Sequence, residues 1–540
     1  MSSIIKVDTI QDQAGNNIIS ESSDTITIGA SGDTVNIVGT LQNNGSAIPG
    51  DISSVVAGTG LSGGGTSGDV TLNVDLISKQ AGTNFTNSVL VGTSSTGTLS
   101  SADGNTGVGV GVFGALTSGD NNTAVGLNAL DLNTTGTKNI GVGATALAAN
   151  TTADNNIAVG CGAMLNNTTG AENNALGNSA LCANTTGTNN VALGHLALRA
   201  NTTASNNTAI GMSALTANTT GEVNSAFGNS ALITNTTGYG NTAVGKNSLY
   251  TNNGNNNTAV GHEALELNTS GDFNVAVGRQ ALECNTTADN NTAVGLCALR
   301  VNTTGTENTA VGQNALTKNT TADNNTAMGN SALACNTTGT SNVAVGKTAM
   351  LLNTTSSLNT AVGVGALYNN TGGSNTAIGE ASGYNISSGS CNITIGRDAG
   401  RAGFSPFGIT TEDNRVVIGT DDITNAYIQV AFTVTSDLRD KTNFGTVPHG
   451  LDFVSKLEPV SFQFKKSRQD DTPHGQMHYG FKAQDILALE GDNNVIIDNE
   501  QPDKLKYKGE HLVPVLVNAI KELSEENKDL KSRIEALESN

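Results

Sequence analysis

The sequence predicts a mainly β protein. A long repetitive β-solenoid or trimeric β fibre with 17-residue repeats is followed by a small α+β domain that ends in a coiled coil. Three observations predict it: a glycine period running through the middle of the chain, a composition too poor in aromatics and charge for stacked enzyme domains, and a heptad pattern at the C-terminal end. The chain has 540 residues with 65 Gly, 4% aromatics, no Trp and 13% charged residues, which suits a thin β architecture. A formal charge of -20 argues against phosphate backbones and anionic lipid as partners, since both need basic patches. No nucleic acid and no membrane insertion are expected: no apolar run reaches the roughly 18 residues a spanning helix needs, and the start lacks the basic and apolar regions of a signal peptide.

Residues 1–85 contain short alternating apolar runs, such as Ile4 to Val7 and Thr25 to Ile28, separated by Gly, Asn and Ser. They read as strands and turns of a β-rich attachment region. Gly58, Gly60 and Gly63 form a GxGxxG, but a dinucleotide loop requires a helix next, and Val70 to Val74 reads as a strand. A glycine-rich bend is the expectation. The segment AGTGLSGGGTSGDVTLNVD resembles N-terminal parts of tail-fibre-like proteins of marine bacteriophages, where such a region attaches the fibre to the particle.

Residues 86–108 are a transition. From Gly109 to Gly396 glycines recur at 17-residue steps, with two steps of 16, in a unit of the form N-T-A-V-G-x-x-A-L-x-x-N-T-T-G/A-x-x. Such a unit cannot bury a core alone, but it is long enough for one solenoid turn covered by the next. Stacked at about 4.8 Å, the turns make a rod of roughly 80 Å. An Asn stands four residues before each glycine, as at Asn122, Asn190, Asn241, Asn308 and Asn359, and predicts a buried amide ladder bonding turn to turn. The repeat resembles the N-S-A-I-G repeats in heads of trimeric autotransporter adhesins, whose units are shorter.

The repeat also manufactures false motifs. Gly346-Lys347-Thr348 imitates a phosphate loop, but Ser341 stands where the earlier Gly is needed; Gly245-Lys246 is followed by Asn247 instead of Ser or Thr. Both read as corners with a surface lysine. The Asn-Thr-Thr triplets match the glycosylation sequon in form and read as turns. Stacked threonines could make a flat ice-binding face, which is not the expectation, and a calcium site at Asp154, Asp289 and Asp323 is only weakly suggested, because most units lack the Asp. The six cysteines, Cys161, Cys182, Cys284, Cys297, Cys335 and Cys391, show no metal-ligand spacing and are expected to be small buried fillers. No cofactor and no metal are expected.

Residues 397–435 form a cap and linker. Phe404, Pro406 and Phe407 are expected to cover the open end of the rod, and Arg415 to Gly419 and Tyr427 to Val434 read as strands. After them comes the charged segment Ser436-Asp437-Leu438-Arg439-Asp440-Lys441. A lysine can activate a serine if burial or neighbouring cations favour its neutral form. Five extended residues separate the two groups by about 16 Å, so either the segment bends or the lysine comes from another protomer. The plain alternative is that Ser436 caps a helix beginning at Asp437, with Arg439 and Lys441 solvated.

The run Ala431 to Phe444, then Gly450-Leu451, Leu457 to Phe462 and His478 to Asp485 resembles the C-terminal intramolecular chaperone auto-processing domain of phage endosialidases, tail spikes and tail fibres. The resemblance covers residues 436–540. It implies that the domain trimerises, guides folding of the fibre before it, and cuts itself off next to a serine, with Ser436 and Lys441 as the catalytic dyad. Lys482 stands where most relatives have a more apolar residue. His449, His474, His478 and His511 have no convincing partner by spacing. Residues 513–540 hold Val513, Leu516, Ile520, Leu523, Asn527, Leu530, Ile534 and Leu537 at heptad a and d positions, a coiled-coil clamp in which Asn527 fixes register.

The function this implies is a homotrimeric virion tail fibre or adhesin, made in the host cytoplasm. Its N-terminal region would join other tail proteins, its shaft would attach to a host surface glycan or protein receptor, and its only enzymatic act would be autocatalytic cleavage. Two alternatives remain: a tail spike that degrades polysaccharide, which needs paired carboxylates where the repeats offer no singular acidic pair, and a cellular trimeric surface adhesin.

Overall fold

The computed structural model describes residues 84–539 apart from 93–95, 406, 424–425, 428, 430–435, 468–469, 493 and 501, and before residue 84 only short strand segments. Among those segments, Leu61–Gly65 pairs antiparallel with Val55–Val56 and with Leu72–Val74. The glycine-rich stretch expected to be a bend is therefore itself partly a strand, and a strand follows it, which excludes a dinucleotide loop.

The shaft is one parallel ladder of short rungs. It begins at Phe85–Val91, which also pairs antiparallel with Ile77–Gly82, and ends at Val416–Ile418, beyond the strict repeat on both sides. Each rung is a three-residue strand, as at Thr292–Val294, whose central Ala points inward and whose flanking residues point out. The Ala-Leu pair that follows fills the rest of the interior; Ala298 and Leu299 are both fully buried. The ends of the stack are plugged by larger side chains, Phe85 and Phe113 at one end and Ile386, Phe407 and Ile409 at the other.

The corners explain why these residue types repeat. The buried Leu of each turn sits at positive φ, for instance Leu282 at 51° and Leu299 at 50°. A side chain branched at Cβ is strongly disfavoured there, and from Leu130 to Leu367 the position holds only Leu or Met. Leu282→Ile is expected to lower stability by about 1–3 kcal/mol although volume and hydrophobicity are unchanged, seen as a lower thermal midpoint by circular dichroism. The repeat glycine is under a different constraint. At Gly295 (φ +137°) a Cβ would lie 2.6 Å from the backbone C and O of Gly312 on the next turn. Gly295→Ala must therefore push two turns apart, and loss of the folded shaft in the same melting assay is the expected result.

Two asparagine ladders run through the interior. In the expected one, Asn139 N–H and Nδ2 donate to Oδ1 of Asn122 at 2.9 and 3.2 Å, and Nδ2 also donates to the Ala153 carbonyl at 2.8 Å. The second is built from the first residue of the Asn-Thr-Thr corners. Asn150 Nδ2 donates to Asn133 Oδ1 at 2.8 Å and to the Ala153 carbonyl at 3.1 Å. These asparagines are fully buried, so the triplets are structural corners whose amides are closed to a glycosylating enzyme in the folded shaft. The two 16-residue steps lose their residue at this corner: Asn252 and Asn370 reach the carbonyl two residues on instead of three.

The cysteines are not buried fillers. Cys161 and Cys391 are exposed and the other four partly exposed, all as free thiols, because they fall on outward corner positions beside the inward Gly, Leu and Asn. Asp154 and Asp323 are corner caps: each carboxylate accepts the backbone N–H of the preceding turn, from Thr137 and Thr306, at 2.6 and 2.7 Å. Lys246 and Lys347 are exposed corner residues, as expected. At the shaft's end Phe407 is buried, whereas Phe404 is half exposed beneath the Arg401 guanidinium. Pro406 lies outside the described residues, as does most of Tyr427 to Val434.

The C-terminal region pairs a hairpin, Val460–Ser467 with Asp470–Gly480, with helices α1 (Leu451–Ser455), α2 (Ala483–Glu490) and α3 (Leu512–Glu538). Phe453, Ile486, Ile496, Ile497, Leu512 and Val515 form its core. The buried Glu490 carboxylate accepts the backbone N–H groups of Val495, Ile496 and Ile497 at 2.6 to 3.0 Å. Glu490→Ala leaves three donors without their acceptor and is expected to cost about 2–4 kcal/mol, measurable as lost amide protection at 495–497 by hydrogen exchange.

Candidate functional site

The segment that follows the shaft is held in a tight turn. Asp437 is the N-cap of a single 3-10 turn, Leu438–Asp440, and its carboxylate accepts the Arg439 backbone N–H at 2.9 Å. It also pairs with the Arg439 guanidinium at 2.6 Å, and these bonds hold the Asp437 carboxyl below the usual carboxylate range. Lys441 N–H closes the turn onto the Leu438 carbonyl at 3.2 Å. The chain thus folds back within six residues, and Lys441 Nζ lies 2.5 Å from Ser436 Oγ. The pair meets within one protomer, and the capping residue is Asp437, not Ser436. Both Ser436 and Lys441 face solvent in the single chain.

The domain behind this turn is tied to α3. Glu522 accepts the Leu451 N–H at the start of α1, and Asn518 Nδ2 donates to the His449 carbonyl at 3.0 Å. The domain also touches the last turns of the shaft. Arg415 pairs with Glu500 at 2.5 Å, Lys504 donates to the Ser405 carbonyl, and Lys506 Nζ stands 3.4 Å from the centre of the Phe407 ring. Burial pushes the Lys506 ammonium below its ordinary value, against the pull of Asp498 and Glu500. His478 stacks on Phe462 and meets Phe464 edge-on in the hairpin, and His449 stacks on Phe453, which are packing roles. Lys482 precedes α2 and pairs with Asp485 at 3.6 Å.

One cluster in the shaft was not legible in the repeat. Glu263, Glu266 and Glu283 bring carboxylate oxygens within 4.8 Å of one another across adjacent turns, so the expectation of no singular acidic pair in the repeats needs correction. Burial and the two neighbouring carboxylates push Glu266 up. The other members are engaged: Glu283 by Arg300 at 2.6 Å, Glu263 by Gln280 at 3.0 Å. Among the described residues no helix is long and apolar enough to cross a membrane.

Residues 436–495 match a peptidase family model described as chaperone of endosialidase. The match begins at Ser436, the residue that meets Lys441. No curated protein and no solved structure matches the chain significantly. A chaperone-of-endosialidase match behind a β-solenoid shaft fits a tail fibre or tail spike type protein.

Proposed function

We propose that this protein is a homotrimeric tail fibre of a virus particle that attaches to a host surface glycan or protein, and that its C-terminal domain first directs trimer assembly and then cuts itself away. The observation that carries the reading is the 2.5 Å contact between Ser436 Oγ and Lys441 Nζ at the first residue of the chaperone match, just beyond the linker that follows the shaft.

In the proposed step, Lys441 as the neutral amine takes the Ser436 hydroxyl proton. Oγ bonds to a neighbouring peptide carbonyl carbon, the C–N bond breaks, and the leaving amine takes the proton from Nζ. Water then hydrolyses the ester. Covering the exposed pair by neighbouring protomers would disfavour the ammonium, which couples cutting to assembly. Oligomerisation has its own support: Val513, Leu516, Ile520, Leu523, Leu530, Ile534 and Leu537 form an exposed apolar stripe along α3, beside which the neighbouring Leu512, Val515 and Ala519 at the start of the helix are already buried. Neighbouring turns are so alike that chains out of step by one unit lose little energy, and a clamp at one end removes that ambiguity. The N-terminal region is the proposed joint to other tail proteins.

The test is expression of the full chain beside residues 1–435, each examined by sedimentation. The full chain is expected to yield a soluble trimeric shaft, and residues 1–435 alone to aggregate or remain unassembled. Equal trimer yield from both would overturn the chaperone role.

A further inference from the structure

The shaft has a surface that its own repeat keeps free of charge. The third residue of each rung points outward, and in 19 consecutive rungs from Val108 to Ile418 it is Val, Leu, Ile, Phe or Met, without exception. The first residue of each rung, also outward, is Thr, Ser, Asn, Val or Ile. The position just after each repeat glycine, on the neighbouring corner, instead includes His195, Lys246, Arg279, Lys347 and Glu380. Variation is thus admitted on the corner and refused on the strand face, in a chain whose net charge is -20.

The apolar row is open in the single chain: Val277 is 36% exposed, Phe227 39%, Met328 44% and Leu176 48%. Summed over the rod this is on the order of 1,000 Å² of apolar surface per chain, against about 800 Å² per partner in a standard interface. Monomeric proteins rarely leave so large a patch in water.

We infer that this strand face is where copies of the chain pack against one another along the whole shaft, parallel and rung to rung. The inference rests on the trimer reading above and names its surface. The occupant follows from the period. Only a partner that presents an apolar side chain at the same rise per turn, with the same two shortened turns, can cover every rung, and a second copy of this chain in register does so. Three such faces around a common axis bury the row and leave the variable corners outward, free for recognition. The same row, uncovered before assembly, is an aggregation surface, which is a physical reason for joining the chains at α3 first.

The experiment uses the full chain in three forms. Val277→Lys with Val294→Lys and Val311→Lys places a stack of charges on the face; Arg279→Glu with Leu296→Glu and Gln313→Glu places the same number on the adjacent corner row; Val294→Cys allows oxidative cross-linking, with the linked peptides identified by mass. The expected results are a folded but non-trimeric strand-face variant by circular dichroism and sedimentation, an unaltered trimer for the corner variant, and disulfides joining residue 294 to residue 294. If wild type sediments as a trimer while the strand-face variant also stays trimeric and no 294–294 link forms, the inference falls and the trimer reading stands. A monomeric wild-type shaft overturns both.

Discussion

Ser436→Ala is expected to leave the protein as a single full-length chain of 54.7 kDa under conditions in which the wild type is recovered as two pieces that meet beside residue 436. Intact-mass measurement after purification reads this directly. The hydroxyl is the proposed nucleophile, and a methyl group has no chemistry to replace it. Lys441→Ala removes the proposed base and is expected to slow cutting by about 10²–10⁴-fold. Lys441→Arg should do the same despite keeping the charge, because a guanidinium does not give up its proton. The plain alternative, that this segment is only a turn with solvated charges, predicts something else. The turn is capped by Asp437, whose carboxylate holds Arg439 N–H and the guanidinium, so a purely structural role would make Asp437→Ala the damaging change and Ser436→Ala nearly silent. Recovery of full-length wild type after complete folding would sink the cleavage proposal, while leaving shaft and trimer untouched.

How much of this was legible depends on whether the local signal survives the corner geometry. The strand ladder was, because the glycine period is long and the Ala, Leu and Asn positions keep step with it. The second asparagine ladder was not. An Asn-Thr-Thr triplet between strands has the composition of an ordinary turn, and only the left-handed residues around it decide that Asn133 or Asn150 points inward. Residues at positive φ break the simple alternation of faces, so inward and outward positions cannot be counted across a corner. The same break put the cysteines on the surface when their size suggested the core. At the end of the shaft, spacing separated Ser436 from Lys441 by too great a reach, and the turn that joins them depends on a three-residue cap too short to give a periodic signal. The acidic trio of Glu263, Glu266 and Glu283 escaped notice because Glu283 joins the other two only through stacking of the next turn.

In most turns the two ladders meet at one carbonyl oxygen, and this sets the second large effect. The Gly305 carbonyl accepts from Asn291 Nδ2 at 2.9 Å and from Asn302 Nδ2 at 2.8 Å. Asn291 Oδ1 also accepts the Asn308 backbone N–H at 3.0 Å, whereas Asn302 Oδ1 accepts only an amide, Asn319 Nδ2 at 2.9 Å, which has a second acceptor in Ala322. Asn291→Ala therefore strands a buried backbone donor and opens a void, at an expected cost of about 3 kcal/mol; Asn302→Ala, which strands less, should cost about 2 kcal/mol. The double variant should lose more than the sum. In either single variant Gly305 keeps one donor, and in the double it keeps none, so the penalty for an unpaired buried carbonyl appears only there. Thermal unfolding of the four shafts gives the coupling, and hydrogen exchange at Asn308 places it. Strict additivity would mean that Gly305 finds another donor and that the ladders act independently. Synergy would show that each turn is locked to the next by a single shared corner, and that the rod's cohesion lies in its buried amides as much as in its narrow Ala and Leu core.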